Sequence, residues 1–159
     1  MRLRILRFVI IFVTAALLVP ATGWSSTAQD YFRDGYVASM KRDWNAAIDL
    51  FNKSLDLNPD NAAVYVQRAS AYQMVDRVDE AIRDYEAALK LRPDYYLAME
   101  YLGKLYEMKN EYSKAVEIYS RALPLVKDPK WRSVIQWKIT DARKKAMNVR
   151  ADQGRQLSR

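Results

Sequence analysis

The commonest instruments of catalysis are missing from this sequence. Its 159 residues include no histidine and no cysteine, which removes the usual general base, the thiol nucleophile and the preferred transition-metal ligands. Only four glycines are present, and no group of them could cradle a phosphate. Carboxylates remain, and Glu100 and Glu107 are a pair that could do acid–base work. Nothing in the sequence desolvates them. With Lys104 between them, at spacings of 4 and 3, they also read as an ordinary ion-pair ladder on a helix surface. No catalytic residue, metal, cofactor or small-molecule substrate is therefore expected. The chemistry left is that of binding. Met40, Met74 and Met108 stand 34 residues apart, and the flexible, polarisable thioether suits either a surface that accepts varied apolar groups or a gap between packed elements.

The same interval recurs elsewhere, and it shows what must position these side chains. Ala47, Ala81 and Ala115 form one column, with Phe51, Tyr85 and Tyr119 four residues later; Gly35, Ala69 and Gly103 form another, and Ala38, Tyr72 and Tyr106 a third. A small residue inside a helix admits a neighbouring helix closely, and an aromatic one turn on fills the space beside it. Pro59 and Pro93 punctuate the first two copies, and Asp60 and Asp94 after them are expected to cap the next helix. Helices are expected near 29–41, 44–57, 61–75, 78–91, 95–109 and 112–124, with turns at Asp43, at Asp76-Arg77 and at Asn110-Glu111. A period of this length marks a helix–turn–helix repeat that stacks into a solenoid.

With these columns in place, the sequence resembles the tetratricopeptide repeat family, in three copies at 28–61, 62–95 and 96–129. The third copy carries the pattern best, through Leu102-Gly103, Tyr106, Tyr112, Ala115, Tyr119 and Ala122. The leucine column holds Asp34 in the first copy and Arg68 in the second, and the third has Lys127 in place of the closing proline. The resemblance implies an all-α, right-handed superhelical solenoid whose concave groove binds a protein partner. It places Phe32, Tyr36, Ser39 and Met40 on that groove from the first copy. From the second it takes Val66, Ser70, Gln73 and Met74, and from the third Glu100, Lys104, Glu107 and Met108. Family members that clamp a peptide's terminal carboxylate put basic and amide groups where Phe32 and Tyr36 stand here, which speaks against such a clamp.

Outside the repeats, the first residues have a different task. Three arginines lie in the first seven residues, Phe8 to Val19 has only Thr14 polar, and Pro20 precedes small residues at Ala21-Thr22-Gly23 and Ser26-Thr27-Ala28. Basic, apolar and small in that order reads as a secretory signal over 1–28. The alternative is an uncleaved anchor in the inner membrane, which wants roughly 20 apolar residues and reaches that length only by taking in Arg7. Export implies the periplasm if the source is bacterial, and makes nucleic acid an unexpected partner.

Charge is divided along the chain. Residues 29–126 hold 13 Lys/Arg against 16 Asp/Glu, a net of −3, whereas 127–159 hold 10 against 3, a net of +7. A seventh, capping helix is expected over 129–149, started by Asp128 and Pro129. Its apolar stripe would be Trp131, Val134, Ile135, Ile139, Ala142, Ala146 and Val149. Trp137 lies off the stripe, free to anchor a partner or to fold over the stripe's edge. With Arg143, Lys144 and Lys145 it marks a second surface, solvated or facing an acidic protein or anionic lipid. Residues 150–159 have no stripe and are expected to be disordered. The functional expectation is an interaction scaffold of the cell envelope, with a peripheral membrane-surface protein as the alternative. If the leader is removed, amino-terminal sequencing of the exported product should begin between Trp24 and Asp30; recovery of intact Met1 in membranes would establish the anchor.

Overall fold

A computed structural model describes residues 26–157; the signal expected over 1–28 lies outside them except for its last three residues. Seven α-helices follow one another: α1 Ala28–Met40, α2 Trp44–Leu57, α3 Ala62–Met74, α4 Val78–Leu91, α5 Tyr96–Met108, α6 Tyr112–Ala122 and α7 Pro129–Leu157, with a 3-10 turn at Leu123–Leu125. Pro124 accounts for the early end of α6, because it cannot donate to the helix ladder. Each odd helix packs on the even helix after it, and each pair on the next. The result is a solenoid of three helical hairpins closed by α7.

Inside each hairpin the decisive contact is a ring against a small residue. A Cβ on Gly35 would come within 2.7 Å of the Phe51 ring, and one on Gly103 would meet the Tyr119 ring at Cζ 2.7 Å away. Phe51, Tyr85 and Tyr119 are fully buried. In the second hairpin Ala69 already carries that carbon, and Tyr85 is held by its hydroxyl instead. The turns within hairpins repeat as faithfully. Arg42, Asp76 and Asn110 all adopt the left-handed conformation, with φ of 61°, 59° and 59°. Asp and Asn visit this region readily; Arg does so at a cost of roughly 1–2 kcal/mol.

Helix starts differ in part from the sequence reading. Asn61, not Asp60, caps α3, its Oδ1 accepting from the Ala63 amide at 3.1 Å. Asp94 caps nothing: the cap position of α5 is Tyr95, without a side-chain bond. Both prolines begin a short turn that carries the chain one residue further before helix begins. At α1 a capping box forms, in which Thr27 Oγ1 accepts from the Asp30 amide and Asp30 Oδ2 from the Thr27 amide. A cut after Ala28 would strip this cap, and a cut after Gly23 would keep it. Asp128 starts α7 as expected, its Oδ1 accepting from the Lys130 and Trp131 amides.

The departures in the leucine column turn out to be paired. Leu102 and Ile118 are buried together in the third hairpin, and the equivalent places in the second hold Arg68 and Asp84. There Arg68 Nε and Nη2 reach the two Asp84 oxygens at 2.7 Å each, and Nη1 reaches Asn52 of the preceding hairpin at 2.7 Å. One guanidinium thus joins the first repeat to the second. In the first hairpin the column faces outward, and Asp34 is exposed.

Along α7, Ile135, Ile139 and Ala142 are buried against α6, with Val134 and Ala146 partly so, but Trp131 and Val149 are exposed. The helix also continues to Leu157, where a disordered tail was expected from residue 150. Ala151, Gln153 and Gln156 are good helix formers, the Asp152–Arg155 pair bridges one turn, and an established helix extends at little cost.

The paired column gives a stability test. Arg68→Leu alone should cost about 3 kcal/mol by orphaning a buried carboxylate, and Arg68→Leu with Asp84→Ile should recover most of it by copying the third hairpin. Denaturant unfolding of both variants checks the pairing.

Candidate partner-binding groove

Three helices, α1, α3 and α5, present the candidate wall, with α1 touching α3. The methionine column settles its own ambiguity. Met40, Met74 and Met108 are 71%, 58% and 59% exposed, so they fill no gap between repeats and form a spaced apolar ladder on the surface. Tyr36 is exposed beside Met40. Phe32 and Val66 correct the expectation. Phe32 is half-buried, its ring 6.1 Å from Phe51 and tilted by 43°, so it supports the core ring of its own hairpin. Val66 is buried and offers the wall no surface.

All the polar members but Lys104 are committed to the fold. Tyr119 donates its hydroxyl to Glu107 Oε2 at 2.9 Å, and Tyr85 donates to Gln73 Oε1 at 2.7 Å while meeting Ser70 Oγ at 3.1 Å. Burial and, for Tyr119, the Glu107 carboxylate push these phenols well above their ordinary range. In the first hairpin the ring is Phe51, without a hydroxyl, and the matching position is Ser39, which donates to its own helix at Gly35 O, 3.0 Å. Ring and acceptor change together. Ser70 likewise donates to Val66 O at 3.1 Å. The expected ladder on α5 does not form. Glu100 meets Lys138 of α7 at 3.4 Å instead, and partial burial together with that carboxylate pushes the Tyr96 phenol up to about 12. Lys104 stays exposed and, among the described residues, without an ion-pair partner.

Further side chains complete the wall that the sequence reading missed. Tyr101 stacks on Tyr85 at 5.8 Å and 26°, leaving one face to solvent. Leu97, Leu125 and Trp131 are exposed around a mostly apolar hollow of about 400 Å³, with Tyr96 and Glu100 at its edge. Leu97 and Tyr101 share columns with Gln29 and Ala63, and with Arg33 and Gln67, so no periodic signal marked them. On the far side a hollow of about 440 Å³ mixes Glu86 and Glu117 with Lys90, Lys114 and Arg121 and favours neither charge.

At the second surface Trp137 is 65% exposed, so its ring does not fold over the seam. Arg143 and Lys144 are exposed. Lys145 is not free: it pairs with Asp141 at 2.6 Å and lies over the Tyr112 ring. Among the described residues no His, Cys, Asp and Glu group of metal-binding form occurs, and no helix is long and apolar enough to cross a membrane.

Residues 66–130 match the family model described as Tetratricopeptide repeat. Over that stretch the chain carries tetratricopeptide repeats. Small glutamine-rich tetratricopeptide repeat-containing protein 2 of Mycosarcoma maydis is 32% identical over 63 residues, 40% of this chain and 18% of that protein. The chain thus spans less than a fifth of the length of the curated relatives it matches. Among solved structures, the TPR2B-domain:pHsp70-complex of yeast Sti1 aligns with a TM-score of 0.66 at 22% identity, over 74% of this chain and 97% of that one. The first TPR of Spaghetti (RPAP3), bound to the HSP90 peptide SRMEEVD, aligns with a TM-score of 0.64 at 22% identity, over 77% and 93%. The likeness establishes the fold of tetratricopeptide repeat domains.

Two substitutions separate the committed wall residues from the free one. Tyr119→Phe should cost about 1–2 kcal/mol through loss of a bond to a charged acceptor, while Lys104→Ala should leave the melt unchanged. Thermal unfolding of both reads the difference.

Proposed function

We propose that the chain is an exported scaffold of the cell envelope, periplasmic if bacterial, that holds an extended or helical partner segment against the exposed faces of α1, α3 and α5. The observation that carries this reading is the ladder of Met40, Met74 and Met108, flanked by Tyr36 and Tyr101, all open to solvent. An exposed apolar array of this kind, rimmed by polar groups, is what a protein-binding surface requires. Since Gln73 and Glu107 are occupied by tyrosine hydroxyls and Glu100 by Lys138, the wall selects for apolar side chains more than for charge. In this it differs from a terminal-carboxylate clamp. Neither relative's peptide need be the partner, because the basic and amide groups of such a clamp are replaced by Phe32 and Tyr36. The basic and apolar leader supports export, and the absence of cysteine means that the fold depends on packing alone in that compartment.

The experiment isolates a partner from the envelope by affinity capture and then measures its affinity for purified variants. Tyr36→Ala should weaken binding by about 1–3 kcal/mol while the melt changes little. Tyr72→Ala, at a buried position, should destabilise by roughly 3 kcal/mol and leave binding per folded molecule intact. The opposite pattern would place the partner elsewhere.

A further inference from the structure

Helix α7 has two sides of different character. The side against α6 carries Ile135, Ile139 and Ala142, and along its flank the charges are matched: Lys138 with Glu100 and Lys145 with Asp141. On the side away from the solenoid, Lys130, Trp137 and Lys144 are spaced by seven and so fall on one line. Arg143 and Met147 follow round the helix from it, four residues apart, whereas Arg150 borders a hollow against the start of α6. All six side chains are exposed, and among the described residues the four cations have no carboxylate partner. Asp141 and Asp152 border the line, each paired to a cation. The helix is 29 residues long, about 43 Å at 1.5 Å per residue, and its second half extends past the buried seam.

We infer that this outward face of α7 docks on an anionic lipid surface. The charge complementarity is net positive: Lys130, Arg143 and Lys144 are unpaired, and the acids beside them, Asp141 and Asp152, are each neutralised by a cation. Trp137 stands at the middle of the array, and tryptophan is the side chain that settles at the boundary between headgroups and acyl chains. The chain's own basic and apolar leader, Met1 to Val19, brings it to a membrane during export, where such a surface is at hand. This contact is independent of the groove on α1, α3 and α5, and one can fail without the other.

The test uses the full chain with vesicles of phosphatidylcholine alone and of phosphatidylcholine mixed with phosphatidylglycerol, read by co-sedimentation and by tryptophan fluorescence. The mixed vesicles should bind the protein at low salt and release it as salt screens the charges. Arg143→Glu with Lys144→Glu should weaken that binding roughly tenfold or more without moving the melt, and Lys130→Glu should act in the same direction from the other end of the line. Binding should also shift the emission to the blue, and Trp137→Phe should remove much of that shift. Equal binding to both vesicle types would assign the contact to the leader and overturn the inference, as would indifference to both sets of charge reversals in folded protein. Displacement from the vesicles by stoichiometric polyglutamate or single-stranded RNA would also overturn it, in favour of an acidic protein or a nucleic acid.

Discussion

Everything in this solenoid hangs on a ring seated against a residue with almost no side chain. Phe51 on Gly35 and Tyr119 on Gly103 set the distance between the two helices of their hairpins. An added methyl group in either place would meet the ring well inside van der Waals contact, so hairpin geometry is pinned by sterics before any polar bond is made. The polar bonds then tune it. Tyr85 and Tyr119 tie their hydroxyls back to Gln73 and Glu107 of the partnering helix, and Phe51, with nothing to tie, faces a serine that satisfies itself.

Much of the architecture was legible because this constraint is periodic. Small residues and rings 34 apart located six helices and their pairings, and the stripe of Ile135, Ile139 and Ala142 located the cap. What the period could not show lay in single copies. Tyr101 and Leu97 occupy columns filled by unrelated residues elsewhere, so their part in the wall emerges only when neighbouring hairpins are stacked. Arg68 looked like a defect in a leucine column until Asp84 and Asn52 were seen around it. The cap of α3 moved from Asp60 to Asn61 because the turn after Pro59 runs one residue longer than the proline alone suggests. The helical tail after Arg150 was missed for another reason: amphipathic pattern reports burial, and an exposed helix that extends an existing one has none to report.

An ion pair joins the groove to the cap. Lys138 reaches from α7 to Glu100 on α5 and lies over the Tyr119 ring, which holds the helix beside the wall and puts Trp131 at its rim. The third hairpin therefore carries more side-chain chemistry than the first two, through Leu97, Tyr101, Lys104 and the hollow under Trp131. The first hairpin contributes surface mainly through Tyr36 and Met40, while Phe32 is drawn inward to support Phe51.

The widest hydrogen-bonded separation along the chain, among the described residues, is the 38 positions between Lys138 and Glu100. Nothing comparable links the first hairpin to the cap, so each junction between repeats is a separate hinge with its own fasteners: Arg68 at the first, and Lys109 to Asp79 with Tyr106 to Glu86 at the second. Such a body behaves mechanically as a short spring. A pull applied between its two ends loads the junctions in series and opens the weakest first, leaving the hairpins on either side intact.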